Sequence, residues 1–207
     1  MSDAILVPGG RDVRGSLDQA DSGSDAVVVA CPPHPEHGGT RHDARLTAVS
    51  DALVASGIDC LRFDYGQWDE GRGERVDAQR AVEWARERYD RVGLFGYSFG
   101  ATIALLAAAE AQIDAVSALA PTATLSPDPD DVPAPDIDAV SALDAIDAPV
   151  QVVYGKRDST VEWEPVAERA RELGHRTDDL AANHFFVGQH GTVADTVVSF
   201  FGDVLAE

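Results

Sequence analysis

Five residues constrain this chain more than any others: Gly96-Tyr97-Ser98-Phe99-Gly100. They directly follow the apolar run Arg91-Val92-Gly93-Leu94-Phe95 and directly precede the helix-forming run from Ala101 to Ala111. That order predicts a strand, a sharp turn and a helix, with a serine at the apex. A serine that acts as a nucleophile must have its hydroxyl lifted clear of the backbone. The turn that does so is strained and crowded, which calls for glycine on both sides. The pattern G-x-S-x-G alone is weak, because short patterns recur by chance; a buried strand before it and an apolar helix after it make it strong.

The rest of the chain alternates in the same way. Ala4 to Val7 and Asp12 to Leu17 predict a hairpin around Pro8-Gly9-Gly10. Strands are predicted at Ala26–Ala30, Cys60–Phe63, 91–97, Ala115–Leu119, Val150–Tyr154 and, weakly, 176–181. Helices are predicted over about 41–56, with Leu46, Val49, Leu53 and Val54 inward, and over about 74–89, with Val76, Ala81, Val82 and Trp84 inward. Further helices fall at 98–111, 139–146, 164–173 and 192–205. Strands alternating with helices mean right-handed βαβ units, and hence an α/β fold with a mostly parallel sheet covered on both faces. At 207 residues the chain reads as a single domain. Ligands of such sheets bind at the carboxyl ends of the strands.

An activated serine needs a base, and the base works better when a carboxylate fixes its tautomer. In this architecture they should follow the serine in the order acid, then histidine. Asp158 stands just past the strand at 150–154, and His184 just past the last weak strand. Rival acids are Asp128, Asp130 and Asp131, and rival bases are His175 and His190; position favours Asp158 and His184. An oxyanion needs backbone N–H donors. Phe99, directly after the serine, is one. The other belongs to the loop Cys31-Pro32-Pro33-His34-Pro35-Glu36-His37-Gly38-Gly39, where the prolines cannot donate. Glu36 is the first choice there and His37 the next. His34, Tyr65, Trp68 and Tyr97 are expected to border the substrate pocket. No metal site is expected from His34, His37 and His42, because prolines and glycines among them fit a shaped loop.

These residues resemble a family. The chain is similar to the small α/β-hydrolases of the dienelactone-hydrolase-like branch. The likeness rests on Pro33-His34-Pro35-Glu36-His37-Gly38-Gly39, Leu61-Arg62-Phe63-Asp64-Tyr65-Gly66, Gly96-Tyr97-Ser98-Phe99-Gly100 and His184-Phe185-Phe186. It implies a serine hydrolase of small esters or thioesters that needs no cofactor. Two places depart from the family's pattern: Asn183 stands where aspartate is common before the histidine, and the loop after Phe63 lacks the usual glycine- and serine-rich run. Dienelactone hydrolases themselves use cysteine as nucleophile, so their substrate does not carry over. An acyltransferase on the same triad and a non-catalytic binding module are the competing readings.

Composition narrows the setting. The chain has 36 acidic against 16 basic side chains, a net charge of −20, and Lys156 is its single lysine. The acids are spread along every segment. Such a coat suits concentrated salt, where screening weakens self-repulsion, and it argues against a nucleic-acid partner. No apolar stretch approaches the ~20 residues that span a membrane, and the acidic start is unlike a signal peptide. The expected setting is a salt-rich cytoplasm, and the expected partner a small acyl substrate. Cys31 and Cys60 read as small buried apolar residues. The stretch Pro121 to Pro135 is rich in proline and aspartate (Pro127, Pro129, Pro133, Pro135), which makes a poor apolar lid and predicts an open site for short acyl groups.

Overall fold

The computed structural model describes residues 2–125 and 137–205. The chain opens with an antiparallel hairpin, β1 (Ser2–Val7) and β2 (Val13–Asp18). Then come β3 (Ala26–Cys31), α1 (Ala44–Ala55), β4 (Asp59–Asp64), α2 (Arg72–Arg86), β5 (Arg91–Tyr97), α3 (Phe99–Ala108) and β6 (Ala115–Leu119). The short strands β7 (Thr124–Leu125) and β8 (Ile137–Asp138) pair with each other and lead into the short helix α4 (Ala139–Leu143). The chain continues with β9 (Val150–Gly155), α5 (Glu164–Glu172), β10 (Arg176–Leu180) and α6 (His190–Leu205). Eight strands form one sheet in the order β1-β2-β4-β3-β5-β6-β9-β10. The antiparallel hairpin joins the sheet antiparallel through β2 and β4, and the pairs from β4 to β10 are parallel.

The central strands are apolar along their whole length because both faces of the sheet are covered. Alternate residues feed different cores. Val27, Val29, Cys31, Leu61, Phe63, Val92 and Leu94 pack with α2 and α3. Val28, Ala30, Cys60, Phe95 and Tyr97 pack with Leu46, Val49 and Leu53 of α1 and with Val193, Val197 and Phe201 of α6. Fully burying one such side chain contributes about 1.5–3 kcal/mol. Cys31 and Cys60 are both free and buried.

Two expected core residues are misplaced: Val54 of α1 is half-buried and outside both cores, and Val76 of α2 faces outward. Val76 is 40% exposed, because the inward stripe of α2 is carried by Ala78, Ala81, Val82 and Ala85. Two buried carboxylates, Glu74 and Asp77, also face inward from α2. Periodicity does not reveal that, since charged residues count as outward. Residues 126–136, with Asp128, Asp130, Asp131 and the prolines behind the expectation of a lidless site, lie outside the described residues. Among the described residues, the connection from β6 to β9 carries only β7, β8 and α4.

The strand order reverses at β3, which has β4 on one side and β5 on the other. At such a switch point the loops leave in opposite directions and open a crevice at the carboxyl ends. The loop after β3 and the turn after β5 both open there.

Candidate active site

The turn after β5 is strained in the way a nucleophile elbow requires. Ser98 has φ 57° and ψ −123°, a backbone region that costs a non-glycine residue about 1–3 kcal/mol. Its N–H donates to Leu119 O at 2.8 Å, which ties the elbow to β6. The flanking glycines are needed for space. A Cβ on Gly96 would collide with the Gly100 carbonyl, and one on Gly100 would collide with the carbonyls of Cys31 and Pro32. The second collision shows how closely the elbow abuts the loop after β3.

Ser98 Oγ lies 2.9 Å from His184 Nε2, and His184 Nδ1 lies 2.8 Å from Asp158 Oδ2. A carboxylate at that distance holds the proton on Nδ1 and leaves Nε2 free to accept from the serine hydroxyl. Asp158 and His184 are 7% and 5% exposed, so water competes little for these bonds. Each group is held from behind. Thr160 N–H donates to Asp158 Oδ1 at 2.9 Å, and the Trp163 indole N–H to the Asp158 carbonyl at 3.2 Å. Tyr97 Oη donates to the His184 carbonyl at 3.1 Å. The strand ends carrying the acid and the base meet because Gly155 has no side chain; a Cβ there would stand 2.6 Å from Ala182 O.

Ser98 and His184 line a cavity of about 780 Å³, together with Pro33, His34, His37, Gly38, Gly39, Tyr97, Phe99, Thr122, Leu125, Thr160, Val161 and Phe185, while Asp158 lies behind His184 and does not line it. Phe99 is the first residue of α3, so its N–H has no partner within the helix and sits at the positive end of the helix dipole. Burial holds the Tyr97 hydroxyl pKa up at about 12, so the group stays a donor.

Three other expected site residues do not line this cavity. Glu36 is exposed, in the single 3₁₀ turn Pro35–His37. Tyr65 is buried beneath the loop after β3, donating to Pro32 O at 3.2 Å. Trp68 packs against His34 and Phe99, with ring centres 4.5 and 5.6 Å apart. Both aromatics therefore back the wall that they were expected to form. The turn also takes up most of the loop's donors: His37 N–H and Gly39 N–H donate to His34 O, and Gly38 N–H to Pro35 O. The His34 ring stacks on His37 at 4.4 Å and lines the cavity. Burial and the neighbouring His37 keep the His34 pKa below that of a free imidazole.

Sequence reading missed Asp43 and Arg45, which also line the cavity. Asp43 caps α1 and pairs with Arg45, whose guanidinium lies 4.4 Å over the Tyr97 ring. The only sequence signal was a capping aspartate at a helix start, which says nothing about the direction of the helix.

Residues 65–202 match the family model described as the dienelactone hydrolase family. The chain belongs to that family. A protein of Rickettsia prowazekii is 25% identical over 198 residues, covering 86% of this chain and 79% of its own. Among solved structures, an α/β serine hydrolase homologue from Coxiella burnetii superposes with a TM-score of 0.78 at 23% identity, covering 96% of each chain. A serine hydrolase without a lid from Xanthomonas campestris gives 0.74 at 24% identity, with 96% of this chain and 94% of that one covered. A dienelactone hydrolase from Anabaena variabilis gives 0.77 at 23% identity, with 99% and 98% covered. The fold is that of the α/β-hydrolases, and the family makes the protein a hydrolase.

Proposed function

We propose that the protein is a serine hydrolase of small esters or thioesters that works through an acyl-enzyme. The observation that carries this reading is the continuous chain Ser98 Oγ, His184 Nε2, His184 Nδ1, Asp158 Oδ2, at 2.9 and 2.8 Å, beside the N-terminus of α3. Ser98 Oγ attacks the substrate carbonyl while His184 Nε2 takes its proton. The carbonyl oxygen becomes an oxyanion, which accepts from Phe99 N–H. The second donor in this reading is His34 N–H rather than Glu36. It belongs to a cavity-lining residue, and the N–H groups of His37, Gly38 and Gly39 are used inside the turn. The tetrahedral adduct collapses, breaking the bond to the leaving alcohol or thiol, which takes the proton back from His184. Water, deprotonated by the same nitrogen, then attacks the acyl group and frees Ser98.

The test is a panel of esters of rising acyl length. Short acyl esters should give the highest kcat/KM, and Ser98→Ala should remove turnover of all of them. A steady gain toward long acyl chains would contradict the small-substrate reading, since each CH₂ buried in a deep site is worth ~0.8 kcal/mol. The proposed setting is a salt-rich cytoplasm. Screening would relieve the repulsion of a −20 charge, so Tm should climb from dilute buffer to molar KCl. A flat or falling curve would contradict that setting.

A further inference from the structure

The acyl-transfer reading asks two backbone N–H groups on different elements to point at one atom. Such donors help only if they are aimed before charge develops. Phe99 N–H belongs to α3 and His34 N–H to the loop after β3. Their side chains meet at a third element. The Trp68 indole packs 4.5 Å from the His34 ring and 5.6 Å from the Phe99 ring, while His34 and Phe99 are 4.9 Å apart. Tyr65, from the same loop, donates to Pro32 O and sets its ring edge-on to Phe99 at 5.8 Å. The loop between β4 and α2 thus touches both donor-bearing residues, although it does not line the cavity.

That loop is fastened at several points of its backbone. Asp77 Oδ2 accepts from Gly66 N–H at 2.9 Å. Glu74 accepts from Asp69 N–H at 3.0 Å and from Gly71 N–H at 2.8 Å. Arg11, on the turn between β1 and β2, donates to the Gln67 carbonyl, pairs with Asp77 at 2.7 Å and lies 3.6 Å from Glu74. Glu74 and Asp77 are 0% and 1% exposed, and burying carboxylates is costly unless they are paired and hydrogen-bonded. Gly73 leaves the room for this, since a Cβ there would strike the Arg11 guanidinium. The fastened carbonyl of Gln67 and N–H of Asp69 are the immediate chain neighbours of Trp68. The anchoring therefore fixes the backbone that carries the indole.

We propose that Trp68 is a positioning residue for the oxyanion donors, held in place by Arg11 from the hairpin turn. It acts through His34 and Phe99 and does not contact the substrate. The inference rests on the acyl-transfer reading and deepens it.

The test uses the full chain with a short-chain p-nitrophenyl ester. Alongside turnover it measures the affinity of a small boronic acid, which forms a tetrahedral anion on the serine. Losing one oxyanion donor outright costs roughly 10²–10³-fold in kcat, so a misaligned pair should cost about 10-fold. Trp68→Ala should therefore lower kcat by about that factor, leave KM within about 2-fold, and weaken the boronic acid in proportion to kcat. Trp68→Phe should restore most of the loss, and Arg11→Met should reproduce it in part. An unchanged kcat in Trp68→Ala, or a raised KM with kcat intact, would overturn the inference. Wild-type kinetics in Arg11→Met would overturn the anchoring role. Should Trp68→Ala fail to fold, Trp68→Leu and Arg11→Met carry the same readings. A wild-type protein that a fluorophosphonate does not label would overturn the acyl-transfer reading and this inference with it. A labelled wild type with an indifferent Trp68→Ala would sink this inference alone.

Discussion

The two walls of the cavity are built from different forces. The wall that carries Ser98 and His184 is backed by Asp158, and the three form a line of directional hydrogen bonds, at 2.9 and 2.8 Å, between side chains on three strand ends. The wall built on the loop after β3 is an aromatic packing of Trp68, His34, His37, Phe99 and Tyr65, which in our proposal aims the N–H groups of Phe99 and His34. A hydrogen-bonded line fails when one member is lost. A packed wall fails by degrees, as its members shift.

The largest effect should come from the hydrogen-bonded wall. Asp158→Asn keeps the shape but offers an N–H to His184 Nδ1 and favours the wrong tautomer, so kcat should fall by about 10⁴-fold. Tm should move little by comparison. A kcat within a few-fold of wild type would mean that the acid lies elsewhere, and Asp128, Asp130 and Asp131 would then be the next to replace.

The packed wall should respond more weakly, and to pH. Burial and His37 depress the pKa of His34. A base whose folded pKa is depressed takes up its proton more readily in the unfolded chain. Its contribution to stability is therefore complete above the unfolded value of about 6.5 and is lost as pH falls through the lower folded value. His34→Gln should flatten the acid side of the Tm profile below about pH 6.5, a difference of a few degrees at most. Identical slopes in the two proteins would show that His34 is not held neutral by the wall.

The same contrast explains what the sequence disclosed. Ser98 was legible because its strain demands Gly96 and Gly100, and the structure finds both glycines against backbone carbonyls. Asp158 and His184 were legible because a parallel sheet delivers every strand to the same edge, so order along the chain stands in for position in space. The sheet and its helices followed from apolar periodicity, apart from Val54 on α1, and Val76 and the buried pair Glu74 and Asp77 on α2. The packed wall was not legible in this way. Glu36 reads as a donor from its place in the loop, and the sequence does not show that the 3₁₀ turn at Pro35–His37 leaves it out of the cavity lining. Tyr65 and Trp68 read as pocket residues, yet they lie behind the pocket because Arg11, from a hairpin about 55 residues away in the chain, ties their loop down. Three prolines at 32, 33 and 35 did narrow the choice of donor, since none has an N–H.

The most direct measurement is intact-mass analysis after treatment with a fluorophosphonate, on the wild type and on Ser98→Ala and His184→Ala. The wild type should gain a single phosphonyl group, mapped to the peptide that carries Ser98. Ser98→Ala should gain none, and His184→Ala should react orders of magnitude more slowly, because the members of such a set act as a unit. An unmodified wild type, or an adduct that persists in Ser98→Ala, would contradict the assignment of Ser98 as the nucleophile.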